Sequence, residues 1–380
     1  MNVNIARDIV AKELSAAKNL DDYYAKLVPA GMGAGWNKSE PSLYPTPKKT
    51  FLPAHWPYRT ARPALDAAAR LVRTEDAERR NLILQNPVAG HGYGTASTIV
   101  AAYQMIKGFE AARSHRHTPN ALRFILESGP RTYTIVDGKK VPMEEGDVVL
   151  TPSWCWHGHA NEGPDNAYWI DVLDVPLTQL LGPIFFEGLD GKFIESAAEV
   201  AADSPYRFPF AAWGAKAAQQ KESRPGLREI VVGPPHLDSL RIKWRHFSAN
   251  TRMDEPQTTA NCVYAVHSGN GRVTCDDREF EWERGDVFVI PSWRVVRWEV
   301  GSESYLLRVS DENLLEKLNW LRTAAYATPR TSVGSREGLD PTYCSQPLAP
   351  GRTAALPLEH VPQKWVPVLR KRTCSNKATE

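Results

Sequence analysis

Four of the ten histidines stand in two His-x-His pairs, His115-Arg116-His117 and His157-Gly158-His159. On a β-strand, residues i and i+2 face the same way, so each pair can send two imidazoles into one barrel mouth. Three or four imidazoles converging on a point form a first-row transition-metal site. A single strand histidine is usually a surface or satisfied core residue, whereas two such pairs flanking a hairpin point to a ligand cluster.

The elements that must hold these pairs repeat along the chain. Residues 146 to 159 read GDVVLTPSWCWHGH, and from Gly285 the chain reads GDVFVIPSWRVVRW. The Gly-Asp-Val and the Pro-Ser-Trp recur at the same spacing, but Val296 stands for His157 and Trp298 for His159. The first pair has no counterpart either, because RMDEPQ at 252 to 257 falls in its place. The pattern predicts a duplicated β-domain with one metal site per chain, the second copy being metal-free and packed inside.

Short β-rich runs separated by turns fill both copies, among them STIVAAYQMI, ALRFILES, TYTIVDGKKV, LRIKWRHFSA and SYLLRVS. Asp137-Gly138 predicts a type I′ hairpin, which needs positive φ at both central positions. Closely spaced strands of this kind suggest antiparallel sandwiches or barrels. Apolar residues at three- and four-residue intervals predict a helix in IARDIVAKELSAAKNLDDYYAKL. A Pro- and Gly-rich arm without repeating structure is expected from Pro29 to Pro63. ALDAAARLVRTEDAERRN reads as a second helix reaching Asn81, with TEDAE placing acids in a first turn. A further helix is expected in ENLLEKLNWLRTAAY. The domains expected are N-terminal helices and arm (1–81), a metal-binding barrel (82–180), a partly helical connection (181–228), a metal-free barrel (229–310), and a C-terminal helix and tail (311–380).

The 380 residues suffice for two domains that each bury a core. Lys and Arg number 46 against 44 Asp and Glu, a balance without the basic excess that drives phosphate binding, so nucleic acid is an unexpected partner. No apolar run approaches the ~20 residues that span a bilayer, and the start MNVNIARDIVAKELSAAK has no signal-peptide core, which places the expected protein in the cytoplasm without a membrane partner. The five cysteines, Cys155, Cys262, Cys275, Cys344 and Cys374, lack C-x-x-C spacing and read as free thiols.

GFEAARSHRHTPNALRFILESG followed by GDVVLTPSWCWHGH resembles the paired motifs of the cupin superfamily. It departs from them in three places: six residues separate Gly108 from His115, the usual glutamate position falls near Ala121 or Leu122, and Trp154 replaces an internal glycine of the second motif. The all-histidine set, the P-S-W-x-W-H-x-H motif and the metal-free second copy together resemble the gentisate 1,2-dioxygenase family, which includes salicylate and 1-hydroxy-2-naphthoate dioxygenases. The resemblance implies an all-β bicupin fold, a homotetramer and one Fe(II) per chain held by His115, His117 and His157, with His159 beside them facing dioxygen or substrate oxygen. It further implies that an ortho-hydroxybenzoate chelates the iron and that dioxygen opens its ring between the carboxyl- and hydroxyl-bearing carbons.

A substrate carboxylate calls for a guanidinium fork. Arg123 is the first candidate, read as lying on the strand face of His117 by even spacing, and Arg79 the second. Asp171 resembles the family's acidic position near the ring, and Gln104 is a candidate pocket residue. His55 matches a family segment that reaches toward a neighbouring subunit, although a loop histidine is the simpler expectation. Val100 and Ala102 stand where several relatives have a bulky aromatic and a glycine, so a substituted salicylate is expected to suit this pocket better than gentisate. An isomerase or decarboxylase using manganese or zinc would normally keep the motif glutamate, and a non-enzymatic binding bicupin would not need four histidines and an arginine inside the barrel.

Overall fold

The computed structural model describes residues 10–73, 80–90, 92–189 and 200–324. Its strands form two barrels, each closed by two antiparallel sheets facing one another. In barrel 1 a six-stranded sheet runs, in spatial order, Arg207–Phe208, Val148–Thr151, Ala121–Glu127, Ala167–Leu173, Val100–Ile106, Arg80–Ile83. Opposite it lie Phe186–Gly188, Glu110–His117, His157–Asn161, Thr132–Val136 and Lys139–Pro142. Barrel 2 repeats the plan with a seven-stranded sheet that includes Arg241–Phe247, Cys262–Ser268, Val287–Ile290 and Ser304–Ser310, and a four-stranded sheet of Arg252–Glu255, Val296–Val300, Asn270–Cys275 and Arg278–Glu283.

The period-2 alternation of each strand decides what the sheets separate. On Val100–Ile106 the residues Ala101, Tyr103 and Met105 enter an apolar layer with Phe124 and Ile170 of barrel 1 and Trp244, Val263 and Leu307 of barrel 2. Their alternates Val100, Ala102 and Gln104 therefore turn into barrel 1. The large sheets stack back to back through this layer, and each barrel keeps its other face inward.

The repeated phrase has a structural job at each of its parts. Gly146 and Gly285 take positive φ (84° and 87°), and the buried aspartate after each accepts a backbone N–H at the start of a helix. Asp286 accepts from Tyr58, the first residue of helix Tyr58–Leu71, at 2.8 Å. Asp147 accepts from Phe210, the first residue of helix Phe210–Ala218, at 3.3 Å. Short strands precede these helices: Ala54–Trp56 pairs with Val287–Ile290 of barrel 2, and Arg207–Phe208 with Val148–Thr151 of barrel 1. Each barrel is thus covered at one edge by the strand that introduces the other one, while each helix begins on one barrel and packs on the barrel it introduces. The serine amides of the two Pro-Ser-Trp turns are held in matching fashion, Ser153 N–H by Asn120 Oδ1 at 3.0 Å and Ser292 N–H by Asn261 Oδ1 at 3.2 Å.

Several sequence expectations need correction. The stretch from Pro29 to Pro63 is not wholly irregular, because it contains the strand Ala54–Trp56 and the start of the helix at Tyr58. That helix ends at Leu71 rather than near Asn81, and TEDAE lies outside the described residues. The N-terminal helical pattern is interrupted before Leu20–Leu27, where Asn19 caps the Asp22 N–H at 2.9 Å. The helix after Ser310 covers only Glu312–Lys317; Asn319 takes φ 55° and turns the chain into strand Thr323–Ala324, which pairs with Gln257–Thr258. The Asp137-Gly138 hairpin is present with φ 47° and 78°. Among the described residues no helix is long and apolar enough to cross a membrane.

Candidate functional site

Within barrel 1 the strands Glu110–His117 and His157–Asn161 pair so that His115 lies opposite His157, after an irregularity between Ala112 and His115. His115, His117 and His157 each offer a ring nitrogen, and these atoms lie within 4.8 Å of one another. Local backbone sets the rings. His115 Nδ1 meets the Arg113 carbonyl at 3.1 Å, His117 Nδ1 the Pro119 carbonyl at 2.8 Å, and His157 Nδ1 the Cys155 carbonyl at 3.0 Å. A carbonyl only accepts, so all three rings donate from Nδ1, which leaves Nε2 as the nitrogen available to a metal. His157 Nε2 is buried without a protein hydrogen-bond partner. Burial first, then His115, Arg123 and His117, hold the His157 imidazole well below its ordinary pKa and keep it neutral. Three pre-oriented imidazole nitrogens fit a transition-metal ion.

The turn that delivers His157 is fixed to the strand that delivers His117. Trp154 N–H donates to the His117 carbonyl at 2.9 Å while Trp154 holds φ 64°, the left-handed conformation that a glycine would supply in the family motif. Trp293 does the same in barrel 2, with φ 61° and its N–H on Thr258 O at 2.7 Å. Such a conformation costs a non-glycine residue on the order of 1–2 kcal/mol, and both copies bear it. Arg116, between the two first-pair histidines, is clamped by the Trp154 and Trp156 rings at 4.6 and 4.7 Å and by Glu187 at 2.7 Å.

Of the other sequence candidates, Arg123, Asp171 and Gln104 come from the facing sheet. Arg123 is buried, with Nε 3.0 Å from Asp171 Oδ1 and Nη1 donating to Thr134 Oγ1 at 3.1 Å. It sits on Ala121–Glu127 and not on the strand of His117, so the even spacing that suggested it was not a shared strand face. Asp171 lies directly across from it in register and also beside Ala102. Gln104 is buried on the same inner face, and its Oε1 has no protein partner. His159 is buried, with Nδ1 2.9 Å from Thr134 Oγ1 and its ring 5.9 Å from that of Trp169. Val100 and Ala102 are both buried there as well. Arg79 lies outside the described residues; its neighbour Arg80 is buried in a pair with Glu110 at 2.6 Å. His55 is a strand residue whose Nε2 meets Asp286 of barrel 2 at 2.8 Å, away from the histidine cluster.

Comparison with known proteins decides the family. A cupin domain is matched over residues 102–173. The chain is 31% identical over 342 residues to a 5-aminosalicylate 1,2-dioxygenase of Comamonas sp, covering 82% of this chain and 91% of that protein. The chain belongs to the gentisate and salicylate 1,2-dioxygenase family of ring-cleaving bicupins. A gentisate 1,2-dioxygenase of Streptomyces sp is likewise 31% identical, over 82% of this chain and 97% of its own length. The crystal structure of the salicylate 1,2-dioxygenase from Pseudaminobacter salicylatoxidans superposes with a TM-score of 0.73 at 26% identity, over 79% of this chain and 96% of that one. The recognition of a ring-cleaving dioxygenase with an all-β cupin core therefore stands.

Two neighbours of the site escaped the sequence reading. Phe186 stacks on His115 with ring centres 5.4 Å apart, on an edge strand that pairs Phe186 with His117. In sequence it was one aromatic of an apolar run in a supposed connection. Thr134 was read only as part of a hairpin strand, since nothing local marks a threonine that three polar groups will meet.

Proposed function

We propose that this family member is an Fe(II)-dependent dioxygenase that opens the ring of gentisate or a substituted salicylate between the carboxyl- and hydroxyl-bearing carbons. The observation that carries the reading is the convergence of three imidazole nitrogens beside the buried Arg123–Asp171 pair. His115, His117 and His157 would hold the iron, one per chain. Bound there, ferrous iron supplies a centre that accepts an ortho-hydroxy carboxylate together with dioxygen and lets electrons pass from ring to dioxygen.

The chain's own groups then orient and protect. Arg123 sets a positive charge beside the substrate's carboxylate or phenolate, and Asp171 fixes the guanidinium plane and hence the direction of its donors. Gln104 turns an amide to the same space, and His159 offers a ring nitrogen to substrate oxygen or dioxygen. Arg79 remains a second candidate for the carboxylate. The ring of Phe186 stacks on His115, and the buried Trp169 ring lies against His159. Val100, in place of a bulky aromatic, leaves room for a ring substituent, and Ala102 in place of a glycine reshapes the same face, which favours 5-aminosalicylate or another substituted salicylate over gentisate; salicylate and 1-hydroxy-2-naphthoate are the remaining members of the panel. The exposed apolar run of Leu180, Leu181, Ile184 and Phe185 supports the homotetramer that the family suggests.

The test is oxygen uptake and ring-opened product absorbance with each acid after reconstitution with iron, manganese or zinc. Iron- and dioxygen-dependent turnover of at least one acid supports the proposal, and dioxygen-independent turnover with manganese overturns it. His159→Ala should keep the metal and lose rate by about 10–100-fold, as changes beside a metal's ligands do.

A further inference from the structure

We infer that Thr134 is a positioning residue that fixes the tautomer of His159 and ties it to Arg123. Its hydroxyl is fully buried and meets three polar groups: Gly158 O at 2.9 Å, Arg123 Nη1 at 3.1 Å and His159 Nδ1 at 2.9 Å. A hydroxyl has one proton and two lone pairs, a guanidinium only donates, and a carbonyl only accepts. The Thr134 proton therefore goes to Gly158 O, one lone pair takes Arg123 Nη1–H, and the other must take a proton from His159 Nδ1. All three contacts are then satisfied. Placing the proton instead between Thr134 and an unprotonated Nδ1 would leave two oxygens, Thr134 Oγ1 and Gly158 O, facing each other at 2.9 Å with lone pairs only.

In the neutral ring this arrangement leaves His159 an acceptor at Nε2. It also joins the two sheets of the barrel at the site, because Thr134 and His159 are direct cross-strand partners on one sheet while Arg123 and Asp171 are partners on the other. In barrel 2 the same register pairs Val273 with Trp298, so the copy that lost its histidines carries no hydroxyl at this position.

The consequence for turnover rests on the proposed function, but the tautomer does not, so the test has two arms. In metal-free protein labelled with 15N-histidine, with His159 assigned by the loss of its signals in His159→Gln, the ring should show a protonated Nδ1 and a bare Nε2. Thr134→Val, which installs the barrel-2 residue, should shift His159 toward the other tautomer and, in iron-loaded enzyme, lower kcat by about 10–100-fold with a smaller change in KM. Thr134→Ser keeps the hydroxyl and should restore both. A protonated Nε2 in the unsubstituted protein overturns the inference, as does a Val variant with unchanged tautomer and kcat, or a Ser variant as impaired as the Val one. If no acid is turned over at all, the proposed function fails while the metal-free spectrum still decides the role of Thr134.

Discussion

The two barrels place unlike residues at matching register positions. Where His115 faces His157 in barrel 1, Glu255 faces Val296 in barrel 2; where Thr134 faces His159, Val273 faces Trp298. Arg245 takes the place of Gln104, and Tyr264 and Arg308 those of Arg123 and Asp171. The result is a packed interior: Arg245 forms a buried ion pair with Glu255 and another with Glu229 at 3.0 Å, and Trp298 Nε1 donates to Glu255 at 3.1 Å. Burial pushes the Glu255 carboxyl up, and the Arg245 and Arg308 guanidiniums more than reverse this, so it stays ionised. Phe247, Tyr264, Phe288 and Trp298 pack around this pair. Barrel 2 closes its interior with its own guanidinium and carboxylate, whereas barrel 1 leaves three nitrogens turned inward.

That comparison can be broken most sharply at the histidines. His157→Ala should abolish metal retention and lower turnover by more than about a thousandfold, since a site with two remaining donors no longer holds the ion; metal per chain and product formation check it. Breaking barrel 2 should act on stability alone. Trp298→Ala should cost about 3–5 kcal/mol, read by denaturant melting, with metal still near one per chain. The double change Val296→His and Trp298→His should add no second metal, because Glu255 and Gln257 hold the positions of the first pair.

A smaller effect tests the layer between the barrels. His267 packs against Phe210, Phe124 and Trp244; burial first, then Arg284, lowers its pKa to about 4. The unfolded chain, with a pKa near 6.5, then binds the proton more readily than the folded one. Stability should be full above about pH 6.5 and fall by up to ~3 kcal/mol as the pH drops toward 4. In His267→Phe that part of the melting profile should flatten. The smallest effect belongs to the exposed Arg272–Glu281 pair of barrel 2, whose loss in Arg272→Ala should leave the denaturant melting profile unchanged.

Much of this was legible in the sequence. The His-x-His pairs, the duplicated Gly-Asp and Pro-Ser-Trp phrases and the Asp137-Gly138 hairpin are local signals, and each is tied to a conformation that few residue types accept. What stayed hidden depends on register between distant strands. Arg123 and Asp171 come together because residues 121–127 and 167–173 pair, which no spacing rule states. The crossed covers also escaped, although Trp56-Pro57-Tyr58 and Phe208-Pro209-Phe210 are similar aromatic-proline-aromatic starts; their significance lies in the aspartates they meet far along the chain. The helix after Ser310 was overextended because its apolar residues keep helical spacing past the turn at Asn319.

Those crossed covers bear on why a copy that has lost its histidines persists. Helix Tyr58–Leu71 begins on Asp286 of barrel 2 and then crosses to barrel 1, where Tyr58 Oη and Arg62 meet Glu127 at 2.7 and 2.9 Å and Asp66 accepts from Tyr168. Helix Phe210–Ala218 makes the reverse journey, from Asp147 of barrel 1 to the Trp244 ring of barrel 2 at 5.1 Å. The halves are related like two protomers that have exchanged arms and then been joined in one polypeptide. Under mutation the ligand positions of one half can drift without touching these ties, but deleting that half would strip the other of an edge strand and of the aspartate on which its helix begins. Gene duplication followed by such an exchange makes the second copy indispensable as architecture after it has become dispensable as chemistry.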